Sequence, residues 1–157
     1  MKNILILLLF NINCFSQNVT LENNGGLRII FSANEDFKIN NLKADNLKES
    51  EIKNLEKELY KLTSQKQSEF KQFFPENIED ENWANMDMKN YIRQYSGFLN
   101  LNNEKIIFIN FLSKEDLEKE NMDYKSKWIL NLPCCKSYMM TYYPKKKTFS
   151  DVNFLKL

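Results

Sequence analysis

Residues 91–112, YIRQYSGFLNLNNEKIIFINFL, constrain the fold more than any other stretch of this chain. Two apolar-rich runs, 91–99 and 105–112, flank a short Asn-rich turn. The second run is β-branched and aromatic, a composition that suits a pleated and mostly buried surface. Asn102 and Asn103 tolerate positive φ, so the chain can reverse between the runs. A β-hairpin is expected here.

The 157 residues, 43% hydrophobic, are enough for one compact core and too few for two comfortable domains. Lysine and arginine number 22 against 21 acidic residues, a formal charge of +1. Such a balance gives no electrostatic case for nucleic acid. The chain has no histidine. That removes Ser-His-Asp and Cys-His mechanisms, His-ligated metal sites and the usual near-neutral acid–base group. Carboxylates, lysines and tyrosines remain available for catalysis. No cofactor is implied.

Residues 1–17, MKNILILLLFNINCFSQ, read as an address. Lys2 is a basic start, and the apolar run 4–10 is far short of the ~20 residues a membrane-spanning helix needs. Cys14 and Ser16 are small residues at −3 and −1 of a cut before Gln17. The expected organisation is a Sec signal peptide, 1–16, and one α+β domain, 17–157, in the periplasm or outside the cell. Lipid anchoring through Cys14 is the lesser reading, because Asn13 and Asn11 stand where a lipoprotein site wants a small residue and a leucine.

The runs 18–22 and 27–32 read as short strands about Asn24-Gly25, a strong turn dipeptide, and 37–42 as a further extended piece. Ile52, Leu55, Leu59 and Leu62 then recur on one helical stripe, which Phe70 and Phe73 continue until Pro75 stops it. With Lys48 as N-cap, Leu47 and Ile52 take the hydrophobic-staple positions and Glu51 is at N3; Asn46 is chemically the better cap. Residues 75–90 are polar and acidic around Trp83. Their spacing matches no EF-hand, so a solvated loop is the reading. Ser113 and Asp116 have capping-box form for a short surface helix. Strands are expected at 128–132, 136–143 and 148–155, the last two joined by the turn PKKK. The order favours one long amphipathic helix packed on a curved antiparallel sheet of four to five strands, cystatin-like or helix-grip in type, with short N-terminal strands.

Tyr91, Arg93-Gln94-Tyr95, Gly97, Asn100 and Glu104-Lys105-Ile106, followed by Asn110, resemble a family of small exported bacterial proteins of unknown function. Their hairpin reads Y-x-R-Q-Y-x-G-x-x-N-x-x-G-E-K-I, with a Trp and a Gly-Gly-x-Cys-Tyr-type turn following. Trp128, Cys135 and Tyr138 take comparable places here, while Asn103 replaces the glycine and Leu132-Pro133-Cys134 replaces the glycine turn. The resemblance covers roughly 45–157 and implies fold and export, with no activity or catalytic residue to carry over.

Arg93, Gln94, Tyr95 and Asn110 are the candidate binding residues, because a guanidinium fork among amides and phenols suits a carboxylate or glycan. The competing reading makes Arg93 an internal ion pair with a helix carboxylate, its stem packed on the sheet. Cys134-Cys135 is a candidate redox pair in an oxidising compartment, though a bond between adjacent cysteines is strained and the C-x-x-C spacing is absent. Two free or intermolecularly paired thiols is the simpler reading. Lys145, Lys146 and Lys147 suit an anionic lipid or polysaccharide, or a solvated turn. The leading function is a non-catalytic module that binds an envelope or extracellular protein or a glycan. An inhibitor or immunity-type protein is a specific version, for which the Asn102-Asn103 turn is the best contact. A small envelope hydrolase or redox protein is the alternative from a different class. N-terminal sequencing of protein purified from the envelope should give Gln17 first; an intact Met1 or a lipid on Cys14 would remove this export route.

Overall fold

The computed structural model describes residues 18–21, 26–31, 41–74, 87–125, 128–129, 136–150 and 152–154. Residues 1–17, which carry the expected leader, the expected turn at Asn24-Gly25, the expected loop around Trp83 and Cys134-Cys135 lie outside them. So does most of the extended piece expected at 37–42.

The chain is α+β. Strands β1 (Asn18–Leu21), β2 (Leu27–Phe31) and β3 (Lys43–Ala44) precede helices α1 (Glu49–Gln65) and α2 (Gln67–Lys71). Strands β4 (Tyr91–Leu99) and β5 (Lys105–Ser113) form the expected hairpin, and α3 (Lys114–Glu120) follows directly. Strands β6 (Tyr138–Tyr143), β7 (Thr148–Phe149) and β8 (Asn153–Phe154) close the order. One sheet runs β1-β2-β4-β5-β6-β7, with β3 also on β4 and β8 also on β6. No described helix is long and apolar enough to cross a membrane.

The antiparallel sheet is present through β4, β5 and β6. At β2 the sheet is mixed, because β2 pairs with β4 in parallel. The chain from β2 to β4 passes through α1 and α2, and a helical crossover of that kind delivers the next strand parallel to the first. β3 shares that edge of β4 end to end with β2, pairing Lys43 with Leu99 and Ala44 with Phe98. Gly97 permits this. A Cβ there would lie 2.5 Å from the Asp45 carbonyl oxygen, whose residue donates its N–H to Gly97 O at 2.9 Å.

Strand alternation assigns the side chains to two faces. On one, Tyr91, Tyr95, Ile107, Ile109, Phe111, Tyr138, Met140 and Tyr142 pack with Ile52, Leu55, Leu59 and Leu62 of α1. Phe111 and Tyr138 stack at 4.5 Å in this layer. On the other, Ile29, Phe31, Ile92 and Leu112 meet Leu117 of α3 and Ile129, with Trp128 edge-on to Phe31. Each buried leucine is worth ~1.5–3 kcal/mol, whereas helix propensities differ by tenths, so packing is what holds α1.

The start of α1 follows the staple. Lys48 is the N-cap, and Leu47 and Ile52 join one core cluster. Lysine has no acceptor, so only one arm of a capping box forms: the Lys48 N–H donates to Glu51 Oε2 at 2.7 Å. The helical stripe does extend to buried Phe70, but the helix breaks at Lys66, with φ −132 and ψ 46. Just before the break, Thr63 and Ser64 donate their hydroxyls back to the carbonyls of Leu59 and Tyr60, a contact that bends helices.

Two expected strands differ. The run 148–155 is divided into β7 and β8, whose registers on β6 are offset by one residue, an extra residue on the β7–β8 side. Trp128 and Ile129, the described part of 128–132, are in no strand. The Ile129 N–H and C=O are instead bonded to the side chains of Gln94 and Asn110.

Leu59 is 1% exposed in the middle of α1's buried stripe. Leu59→Ala should therefore cost about 2–5 kcal/mol. Chemical denaturation checks this; a loss below ~0.5 kcal/mol would mean that the α1 layer is not packed as described.

Candidate functional site

Arg93, Gln94, Tyr95 and Asn110 are all fully buried. The alternation of β4 and the pairing of Gln94 with Asn110 place them back to back. Arg93 and Tyr95 are under α1, and Gln94 and Asn110 are on the opposite face. The structure brings them together as two pairs, not as one patch.

Under α1, Arg93 Nε donates to Glu56 Oε1 and to Tyr95 Oη, each at 3.0 Å. Its Nη1 donates to the Met88 carbonyl at 3.3 Å. The Tyr95 hydroxyl donates to the same Glu56 oxygen. Glu56 projects from α1 with its side chain 16% exposed, while Arg93 is at 0%. The pair ties the helix to the central strand, as the ion-pair reading of Arg93 described. Glu56 was not singled out from sequence, because it is one charged residue among many on a helix whose apolar stripe does not include it.

On the other face, Gln94 Nε2 donates to the Tyr124 carbonyl at 2.7 Å and Gln94 Oε1 accepts from the Ile129 N–H at 3.0 Å. Asn110 Nδ2 donates to Gln94 Oε1 and to the Ile129 carbonyl at 2.6 Å. Both partners of Nδ2 are acceptors, which fixes the orientation of the amide. These two amides substitute for a neighbouring strand and hold the covering segment against the sheet.

A third buried group joins α3 to β6. Ser113 caps α3, accepting from the Asp116 N–H at 3.4 Å, but only that arm of the capping box forms, because the Ser113 N–H donates to Ser137 Oγ at 2.9 Å. Asp116 Oδ2 in turn accepts from the Ser137 hydroxyl at 2.9 Å and from the Lys136 N–H at 3.2 Å. Ser137 is 1% exposed. It is therefore a clasp, sealed from any substrate. Burial, aided by the nearby Asp116 carboxylate, pushes the Tyr91 phenol up to about 12, and burial holds Tyr138 well above the usual phenol range. Both remain neutral at ordinary pH. Among the described residues no three His, Cys, Asp or Glu side chains are grouped to hold a metal ion.

Two large apolar side chains are exposed among the described residues, Tyr60 of α1 at 55% and Leu101 of the β4–β5 turn. Asn100 Oδ1 accepts from the N–H groups of Asn102 and Glu104, each at 2.9 Å. Asn100 N–H donates to Glu104 O, and Asn103 N–H to Asn100 O, both at 2.9 Å. Asn103 takes the positive φ, 56°, that its residue type tolerates. The turn presents Leu101 at 80% exposure. Beside it, Lys145 of the β6–β7 turn pairs with Glu104 at 2.7 Å and holds that carboxyl below its usual range.

Removing Glu56 would leave the Arg93 charge buried. Glu56→Ala should cost about 3–5 kcal/mol, and Glu56→Gln less, since the amide oxygen still accepts from Arg93 and Tyr95. Urea titration of the two variants checks the order; equal and negligible losses would show that the pair does not hold α1.

Comparison of the chain with protein-family models, with curated proteins and with solved structures finds no match.

Proposed function

We propose that this chain is an exported binding module that catalyses nothing, and that the β4–β5 turn is what it presents to a protein of the envelope or the cell exterior. The observation that carries this is Leu101, 80% exposed on a turn tied by four hydrogen bonds. Single exposed leucines are ordinary. This one sits on a preorganised loop, which lowers the entropy lost when a partner orders it. An inhibitor or immunity-type protein is the specific form that a protruding rigid turn suits.

Two further points support the reading. The chain has no histidine, so the common nucleophile and metal chemistries lack their usual base or ligand. A helix packed on β4, β5 and β6 is consistent with the cystatin-like or helix-grip reading, and the parallel β2 departs from it. That likeness is architectural and carries no function by itself. Export rests on the leader pattern and on the hairpin's resemblance to small exported proteins.

Immobilised protein should capture a partner from an envelope fraction, and Leu101→Asp should weaken that capture by the ~2 kcal/mol of an interface hot spot, about thirtyfold, without moving the melting temperature. Undiminished capture by Leu101→Asp would remove the turn from the interface. A turnover activity lost on replacing one carboxylate or cysteine would defeat the non-catalytic reading altogether.

A further inference from the structure

The three lysines of the PKKK turn have separate surroundings. Lys145 pairs with Glu104, and the Lys146 ammonium lies 5.9 Å from the centroid of the Tyr143 ring. Lys147 has φ 53°, a left-handed backbone uncommon for a side chain of this type, and its N–H donates to Tyr143 O at 2.8 Å. It lines a groove of about 280 Å³ between this turn and α1, to which Asn54, Lys57 and Glu58 contribute from the helix and Tyr142 from β6.

The groove holds acids as well as bases, and what decides its chemistry is which of them are engaged. Glu51 at its edge accepts from the Lys48 N–H and from Lys105 Nζ at 3.0 Å. Glu58 pairs with Lys61 at 3.2 Å. Lys57 and Lys147 have no ion-pair partner among the described residues. Two lysines without an ion-pair partner among the described residues therefore line one groove whose carboxylates already have cations. Burial, with Glu58 nearby, raises the Tyr142 phenol above its ordinary range, so it stays a neutral O–H group at the groove wall.

We infer that this groove binds a small organic carboxylate of monosaccharide size, a uronic acid being the type. Lys57 and Lys147 take the carboxylate, and Asn54 and Tyr142 offer hydrogen bonds to hydroxyls. The volume sits just below the roughly 300–1,000 Å³ usual for small-molecule sites, which admits one sugar ring. The inference adds a ligand class to the proposed binding role and uses different residues from the Leu101 turn. The two can fail separately: partner capture that survives while the groove takes no ligand would defeat this inference alone.

The test is an amide-resonance titration of the full chain with sodium glucuronate, glucose or sodium acetate at constant ionic strength. Glucuronate should shift Asn54, Lys57, Tyr142 and Lys147 saturably. Lys57→Gln with Lys147→Asn should weaken it about a hundredfold, the loss of two charge-assisted contacts of about tenfold each. Asparagine keeps the left-handed backbone at position 147 while removing the ammonium. Lys57→Gln alone, on an exposed helix face, should weaken binding in the same direction and covers the case in which the double variant does not fold. The inference is overturned if glucose shifts the same residues equally, if acetate binds as well as glucuronate, if neither variant changes the titration, or if nothing shifts.

Discussion

Every residue of β4 from Tyr91 to Phe98 is buried, and that constraint organises the molecule. A strand that hides both faces must be covered on both. α1 covers one face, and α3 with the segment reaching Ile129 covers the other. Arg93, Gln94 and Asn110 lie inside those layers and cannot keep water as a partner. Most of their polar atoms find acceptors and donors in the covering elements, while Asn110 Oδ1 has no hydrogen-bond partner among the described residues. Arg93 finds Glu56 of α1, and Gln94 finds the backbone of Tyr124 and Ile129. The same contacts that satisfy the strand thus fix where each layer sits.

These polar ties select a geometry more than they add stability. A buried ion pair gains little over a well-packed apolar pair of equal volume, but losing one partner is costly. The Arg93–Glu56 pair therefore penalises any sliding of α1 along the sheet, a freedom that the leucine stripe alone would penalise less. Lys105 acts similarly at the start of the helix. It reaches Asp45 at 2.8 Å and Glu51 at 3.0 Å, anchoring the segment that enters α1 to the edge of the hairpin. Burial opposes the Lys105 charge, and its hydrogen bonds to those two carboxylates outweigh it.

What was legible in the sequence was local. Asn102-Asn103 between two strand-like runs specified the hairpin, and the spacing of Ile52, Leu55, Leu59 and Leu62 specified α1 and its buried face. Ser113 with Asp116 marked the start of α3. What escaped was set by partners distant in sequence. Nothing local to residues 27–31 states that β2 will lie parallel to β4, since that follows from the crossover through α1. Trp128 and Ile129 have strand-like composition, but their backbone was claimed by two amides more than a dozen residues away. Thr63 and Ser64 carried a local warning of the break at Lys66, yet the continuing apolar stripe outweighed it. The candidate polar residues were identifiable by type, while their division between two faces required the register.

That division moves the argument about binding outward. With its polar side chains enclosed, the described sheet offers a partner its edges and turns. Leu101 and the PKKK turn stand at the same end of the sheet, joined by the Lys145–Glu104 pair. An exposed pair of this kind contributes little to stability, typically below ~1 kcal/mol, so its physical consequence is to hold two turns in register. An apolar tip and a groove lined by both lysines and glutamates, fixed side by side by rigid strands, form a more selective surface than either alone, because a ligand must match both the spacing and the chemistry.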